Sequence, residues 1–135
     1  NLKSSTREGV LAVGQTELVR PEPTTVPEPG GRKVRLVATR SMYDRGVLIT
    51  HSPSLSGLAP GTRMVVTPDD LERLGIADGE KVRAVGPRGN LWVEVTADPQ
   101  AAPGTAHLLW NQTGPDPGDL IDATTPVTDL KLERQ

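Results

Sequence analysis

The chain has 135 residues, which is enough for one hydrophobic core and too few for two. Its formal charge of -2 gives no general attraction to nucleic acid or to anionic lipid, so neither is an expected partner. It contains no cysteine, which excludes disulfides, thiolate metal sites and iron–sulfur ligation within these residues.

Residues 1–32 are predicted to form a flexible linker. Gly9–Val13 is a short apolar patch, and Arg20–Gly31 contains four prolines, which favour extended structure without a core. The chain starts at Asn1 rather than Met, so we expect it to be part of a longer protein. No apolar run reaches the roughly 20 residues of a membrane helix, and no signal peptide is recognisable. We therefore expect a cytoplasmic protein without direct membrane insertion.

The next part of the chain has the pattern of short strands. Lys33–Thr39 alternates, and Gly61–Val66 is a further β-rich run. Arg45–Thr50 is apolar, but its pattern does not decide between helix and strand. The alternation in the first strand places three residues on its inner face: Val34, Leu36 and Ala38.

One short helix is predicted after Val66. Thr67 suits its N-cap, Pro68 its first turn, and the two aspartates that follow complement its positive end. Val66 and Leu71 have the spacing of a hydrophobic staple. Gly75 permits the left-handed conformation that ends such a helix.

The remaining pattern is again that of strands separated by Pro- and Gly-containing turns. A hairpin is predicted first, with Leu91, Val93 and Val95 facing inward on its second strand. The predicted strands are Lys81–Val85, Leu91–Ala97, Thr105–Trp110 and Val127–Leu132. About six strands with one or two short helices in residues 33–135 predict a mainly β domain, closed or nearly closed into a barrel.

The segment Thr67–Gly89 resembles the central motif of molybdopterin-dinucleotide-binding domains, in which a short helix, a Leu-Gly-Ile-x-Asp-Gly turn and a Val-x-Val strand follow one another. Leu36–Arg40 is similar to the opening strand of that family. Trp110–Gln112 falls where a loop facing the pterin would lie. The resemblance covers about three quarters of the chain and implies a double-psi β-barrel.

Within that family, Tyr43–Gly46, His51–Leu55 and Asn111–Gly114 look most like the C-terminal domain of the G subunit of bacterial NADH-quinone oxidoreductase, respiratory complex I. This resemblance implies a structural or docking domain in the cytoplasmic peripheral arm of a membrane-bound complex, without a cofactor of its own. The iron–sulfur clusters would belong to other parts of the parent protein. Its partners would be other domains of that chain and other subunits.

Two alternatives remain open at this point. One is a functional domain that binds molybdopterin guanine dinucleotide in a molybdenum oxidoreductase such as formate dehydrogenase or nitrate reductase. The other is a stand-alone double-psi barrel acting as an adaptor or a small hydrolase, because a fold does not determine a function. No activated nucleophile or carboxylate pair is recognisable, so no catalytic residue is predicted.

The resemblance implies four cofactor-binding residues: Thr39, Arg40, Asn111 and Gln112. Arginine suits bidentate contact with phosphate, and side-chain amides can pair with a pterin edge. The alternatives are a solvated arginine and amides that stabilise their own turn.

No metal site is predicted from the histidines or the aspartates. His51 and His107 are too few, and His107 is expected to be a hydrogen-bonded structural residue within a strand. Asp116, Asp119 and Asp122 lack calcium-loop spacing, so we interpret them as solvated carboxylates.

Overall fold

The computed structural model describes residues 22–23 and 25–134. The predicted linker over residues 1–32 therefore lies largely outside the described residues. Its described part, up to Arg32, contains no helix or strand. Among the described residues, no helix has the length and apolarity needed to cross a bilayer.

The described part of the chain forms six strands and two short α-helices, with 3₁₀ turns at Ser56–Leu58 and Pro117–Asp119. In chain order the elements are β1 (Lys33–Thr39), α1 (Val47–Thr50), β2 (Met64–Val66), α2 (Pro68–Leu74), β3 (Lys81–Val85), β4 (Asn90–Ala97), β5 (Thr105–Leu109) and β6 (Asp129–Arg134).

The strands close into a barrel in the order β1-β5-β2-β4-β3-β6. β1 and β5 are parallel, as are β2 and β4, and the other neighbours are antiparallel. The predicted fold class is confirmed: the domain is mainly β, a closed barrel of the double-psi kind with short helices.

The barrel interior is aliphatic, as expected for a sequence without phenylalanine. The prediction that Leu91, Val93 and Val95 face inward is confirmed, and Trp92 between them is 40% exposed. On β1 only Val34 is fully buried, whereas Leu36 and Ala38 are half-buried. The side chains that are completely buried include Met64, Val66, Val82, Leu108, Leu120 and Leu130.

Helix α2 has the predicted caps. The Asp70 backbone N–H donates to Thr67 Oγ1 at 3.1 Å, and Gly75 adopts φ 72°. Leu71 and Leu74 face the core. The helix is therefore fixed at both ends by local sequence and on one face by burial.

Some boundaries differ from prediction. Arg45–Thr50, whose pattern did not decide between helix and strand, contains α1. β2 begins only at Met64, because the preceding residues contact a distant loop: Thr62 Oγ1 donates to the Thr113 carbonyl at 3.1 Å. The closing strand lies two residues later than predicted, because Asp129 is the first residue of β6 that pairs with β1, opposite Arg35. β5 ends at Leu109, and Trp110 lies in the following turn.

Candidate functional site

An open cleft of about 620 Å³ lies where the parallel strands β1 and β5 end. Thr39 is opposite Leu109 in the register, and the Trp110 N–H donates to the Thr39 carbonyl at 2.8 Å. Because parallel strands end at the same edge, the segments that follow them meet. The cleft is lined by Ala38, Thr39, Arg40, Trp110, Asn111 and Asp116.

Three of the four predicted cofactor-binding residues, Thr39, Arg40 and Asn111, line this cleft. Gln112 does not line it. Its side chain is 4% exposed, its Oε1 accepts from the Gly61 N–H at 3.2 Å, and its Nε2 donates to the Tyr43 carbonyl at 3.1 Å. Gln112 thus joins two loops at this end of the barrel, and cofactor binding by the four residues stays a prediction.

Asn111 connects the two sides of the cleft through its backbone. It has φ 55°, a left-handed conformation that asparagine tolerates better than most residues. Its carbonyl accepts from the Arg45 N–H at 2.9 Å, and its own N–H lies 3.4 Å from Asp116 Oδ2. The loop after β1 is therefore tied to the loop after β5.

Asp44 is a charged residue of this site that the sequence analysis missed. Its Oδ1 accepts from the Gly46 N–H at 2.7 Å, and its Oδ2 lies 3.5 Å from Arg40 Nη2. The Gly46 N–H and, after it, the Asn111 side chain hold the pKa of Asp44 below its usual value. The Asp-x-Gly spacing is typical of an Asx turn and was the available signal.

Asp116 adds a second carboxylate to the cleft. Its Oδ1 accepts from the Gly118 N–H at 2.8 Å, which starts the 3₁₀ turn. The interpretation of Asp116, Asp119 and Asp122 as solvated carboxylates is therefore wrong for Asp116, because the loop uses its oxygens. Asp122 remains partly exposed to solvent as interpreted, while its Oδ1 accepts from the Thr124 N–H at 2.9 Å, a contact that lowers its pKa.

His107 also differs from expectation. Its Nε2 is buried and has no hydrogen-bond partner among residues 22–23 and 25–134, so the prediction of a hydrogen-bonded structural histidine is wrong. The residue lies on β5 between Val37 and Val65 and borders a pocket of about 280 Å³ with Asp98 and Gln100. No group of three or more metal-ligating side chains occurs among the described residues.

Comparison with known proteins identifies the family of the chain. Residues 35–130 match the family described as "Molydopterin dinucleotide binding domain". The chain belongs to this family. The fold of this molybdopterin dinucleotide binding domain is similar to part of acetylene hydratase from Pelobacter acetylenicus, with a TM-score of 0.56 and 14% identity. The match covers 76% of this chain and 18% of that one. A search of curated proteins gave no match.

The cleft suits the dinucleotide of this family only in part. Arg40 and Asn111 offer donors of the kind that phosphate and pterin groups bind. However, Arg40 is paired with Asp44, and a second carboxylate, Asp116, lines the cleft. The two carboxylates oppose the binding of a diphosphate beside Arg40, so the side chains present do not fit it in this arrangement.

Proposed function

We propose that this domain is the C-terminal domain of the G subunit of a bacterial NADH-quinone oxidoreductase, respiratory complex I. In this proposal it acts as a packing and docking domain in the cytoplasmic peripheral arm and performs no chemistry. The iron–sulfur clusters belong to other domains of the parent protein. The segments that carry this resemblance support it: Tyr43–Gly46 and Asn111–Gly114 are adjacent in space, joined by the bond from the Arg45 N–H to the Asn111 carbonyl.

The exposed apolar surface of the loop after β1 is the observation on which the proposal depends. Met42 is 82% exposed, Val47 73% and Leu48 86%, and α1 buries none of its residues. A helix this short gains its stability from packing, and apolar surface costs about 25 cal/mol per Å² when left in water. We therefore infer that another protein surface covers α1.

The surroundings of α1 indicate the character of its partner. Arg40 and Arg45, both exposed, lie beside this apolar surface in sequence and carry positive charge. A complementary surface has an apolar centre with carboxylates at its rim. We propose that this surface belongs to another subunit of the complex, because a docking domain makes its contacts through exposed apolar surface of this kind.

The protonation states also favour a role without proton transfer. The carboxylates whose pKa is shifted are all shifted downward, so they are ionised at pH 7 and poorly suited to act as general acids. Their contacts are backbone N–H groups, hydroxyls and basic side chains. These residues are Asp44, Asp70, Glu80, Asp122 and Glu133.

Replacement of the apolar surface tests the proposal. The double variant Val47→Ser/Leu48→Ser, introduced into the native protein, should reduce its recovery with the other subunits of NADH-quinone oxidoreductase several-fold. Val26→Ser is the matched control, since Val26 is also exposed, at 44%, but lies far from α1 in sequence. The melting temperature of the chain should not change. Isolation of the native protein without any other component of this complex would refute the proposal.

A functional dinucleotide-binding domain of a molybdenum oxidoreductase is the second candidate. The convergence of Thr39, Arg40 and Asn111 on one cleft favours it. Molybdenum analysis and pterin release from the native parent protein distinguish the two candidates. A stoichiometric pterin, reduced in Asn111→Ala, would establish the second candidate and exclude the first.

A further inference from the structure

The geometry points to Asp44 as an internal anion that occupies donors beside the cleft which a phosphate would otherwise use, so that the domain's own side chain excludes a diphosphate. This inference rests on the proposed function in one respect, since it takes the cleft between β1 and β5 as the site that the family uses for its dinucleotide. It names the residue and the physical mechanism that would keep a dinucleotide out of the domain.

The contacts of the Asp44 carboxylate are those that a phosphate group would make. One oxygen accepts from the Gly46 backbone N–H at 2.7 Å, and the other lies 3.5 Å from the Arg40 guanidinium. Asn111 lines the cleft beside Arg40, and its side chain helps to lower the pKa of the Asp44 carboxyl group. Backbone N–H groups, guanidinium groups and amides are common ligands of phosphate oxygens. In this structure they surround a carboxylate supplied by the chain.

The carboxylate is held in place by the loop that bears it. The side chain of Asp44 is 13% exposed, whereas that of Arg40 is 71% exposed. The residues on either side of Asp44 are bonded to the loop after β5: Tyr43 through its carbonyl to Gln112 Nε2 at 3.1 Å, and Arg45 through its N–H to Asn111 at 2.9 Å. The backbone on both sides of Asp44 is therefore fixed, and its carboxylate lies where the Gly46 N–H and Arg40 are within reach.

Gly46 provides independent support. Its φ of -56° is available to any residue, so backbone conformation does not require glycine there. The requirement is spatial, because a Cβ at this position would lie 2.9 Å from Asp44 Oδ1. The missing side chain allows the carboxylate to approach the backbone N–H.

Electrostatics indicates the size of the effect. Two unit charges about 4 to 5 Å apart repel by an amount that weakens binding about fivefold in bulk water, and by more where water is partly excluded. A phosphate beside Arg40 would meet the charge of Asp44 at this distance, with Asp116 lining the same cleft. Neutralising Asp44 alone should therefore improve anion binding at least fivefold.

The test is calorimetric titration of the full 135-residue chain with GDP and with inorganic pyrophosphate. Asp44→Asn keeps the size of the side chain and an acceptor for the Gly46 N–H but removes the charge. It should bind both probes at least fivefold more tightly than the unsubstituted chain. Adding Arg40→Gln should abolish the gain, because the released guanidinium is the expected ligand. Gly46→Ala, which displaces the carboxylate sterically, should also increase affinity.

Glu80→Gln is the matched control. Glu80 also accepts from a backbone N–H, that of Ala77 at 2.8 Å, and pairs with Arg134 at 2.7 Å, but its arginine does not line the cleft, whereas Arg40 does. The inference is overturned if Glu80→Gln gains as much affinity as Asp44→Asn, or if neither Asp44→Asn nor Gly46→Ala gains any. It is also overturned if the unsubstituted chain already binds GDP as tightly as Asp44→Asn.

The two proposals fail independently. A gain in Asp44→Asn from a protein that does not assemble with NADH-quinone oxidoreductase supports the internal anion and refutes the proposed function. Normal assembly, without a gain in anion affinity in Asp44→Asn or Gly46→Ala, refutes the internal anion and supports the proposed function.

Discussion

Replacing Asp70 by Asn should destabilise the domain, because this buried carboxylate joins α2 to the loop before β5. The side chain accepts from the Gly104 N–H at 2.6 Å, from Thr67 Oγ1 at 2.8 Å, and from Arg73 Nη2 at 2.6 Å and Nε at 3.1 Å. Asp70 is 6% exposed. Asparagine replaces one of the accepting oxygens by an NH₂ group that faces a donor.

The size of the loss follows from these contacts. A hydrogen bond to a charged group contributes about 1.5–3 kcal/mol, and a buried donor left without a partner costs about 1–3 kcal/mol. Arg73 is partly exposed and regains water, so the Gly104 N–H and Thr67 account for most of the loss. We expect the free energy of unfolding to fall by about 2–3 kcal/mol at pH 7, or roughly 10 °C in melting temperature.

The difference in the free energy of unfolding between Asp70→Asn and the unsubstituted domain should depend on pH. Burial raises the pKa of Asp70, but the hydrogen bonds from Arg73, Gly104 and Thr67 outweigh it, so the folded pKa lies below the usual value of 3.8. A carboxyl group with a lowered folded pKa stabilises fully above its unfolded pKa and loses that contribution as the pH falls. The gap between the two proteins should therefore be constant above about pH 5 and shrink below about pH 4.

Urea unfolding at pH 7, 5 and 3 measures this gap. Asp69→Asn is the control, since Asp69 lies in the same helical turn and carries the same charge but is exposed. It should cost no more than about 1 kcal/mol, the usual size of a helix-dipole interaction. An equal loss in the two variants, or a gap for Asp70→Asn that is unchanged at pH 3, would refute the reasoning.

Three further predictions concern the frame of the site. Gln112→Ala should lower the free energy of unfolding by about 1–3 kcal/mol and speed amide exchange at Gly61, because the bonds to Gly61 and Tyr43 are lost. Unchanged exchange at Gly61 would show that Gln112 does not hold the two loops together. Gly75→Ala should cost about 1–2 kcal/mol in urea unfolding, because φ is 72° there, and a neutral result would show that the helix end readjusts. Leu108→Ala, at a completely buried position, should cost about 2–5 kcal/mol, whereas Leu48→Ala at 86% exposure should stay within about 0.5 kcal/mol; equal losses would contradict the assigned core.

Local elements of the fold follow closely from the sequence. The bounds of β1 and β3 agree with prediction, since each is a short alternating run between turn residues. The caps of α2 are correct because Thr67 and Gly75 act through neighbouring backbone. The parallel pairing of β1 with β5 could not be read from alternation, since the two strands are about 70 residues apart and no local pattern specifies partner or direction.

The candidate site was only partly accessible from the sequence. Thr39, Arg40 and Asn111 were found through resemblance, and the structure brings them to one cleft. Gln112 turned inward and Asp44 turned toward Arg40 because of the path of the loops, which residue patterns do not encode. His107 was misjudged for the same reason: its position on β5 was predictable, but whether Nε2 finds a partner depends on neighbouring strands, and in the described part of the chain it finds none.

Closure of the barrel limits the ways in which the domain can bind another chain. In the described residues every strand has a neighbour on both sides, so no backbone edge is left to recruit another chain by strand addition. Contacts with other molecules would then fall to side chains and to the connecting segments at the rim. In the proposed function, these segments contact a neighbouring protein while the aliphatic interior and the strand register stay as they are.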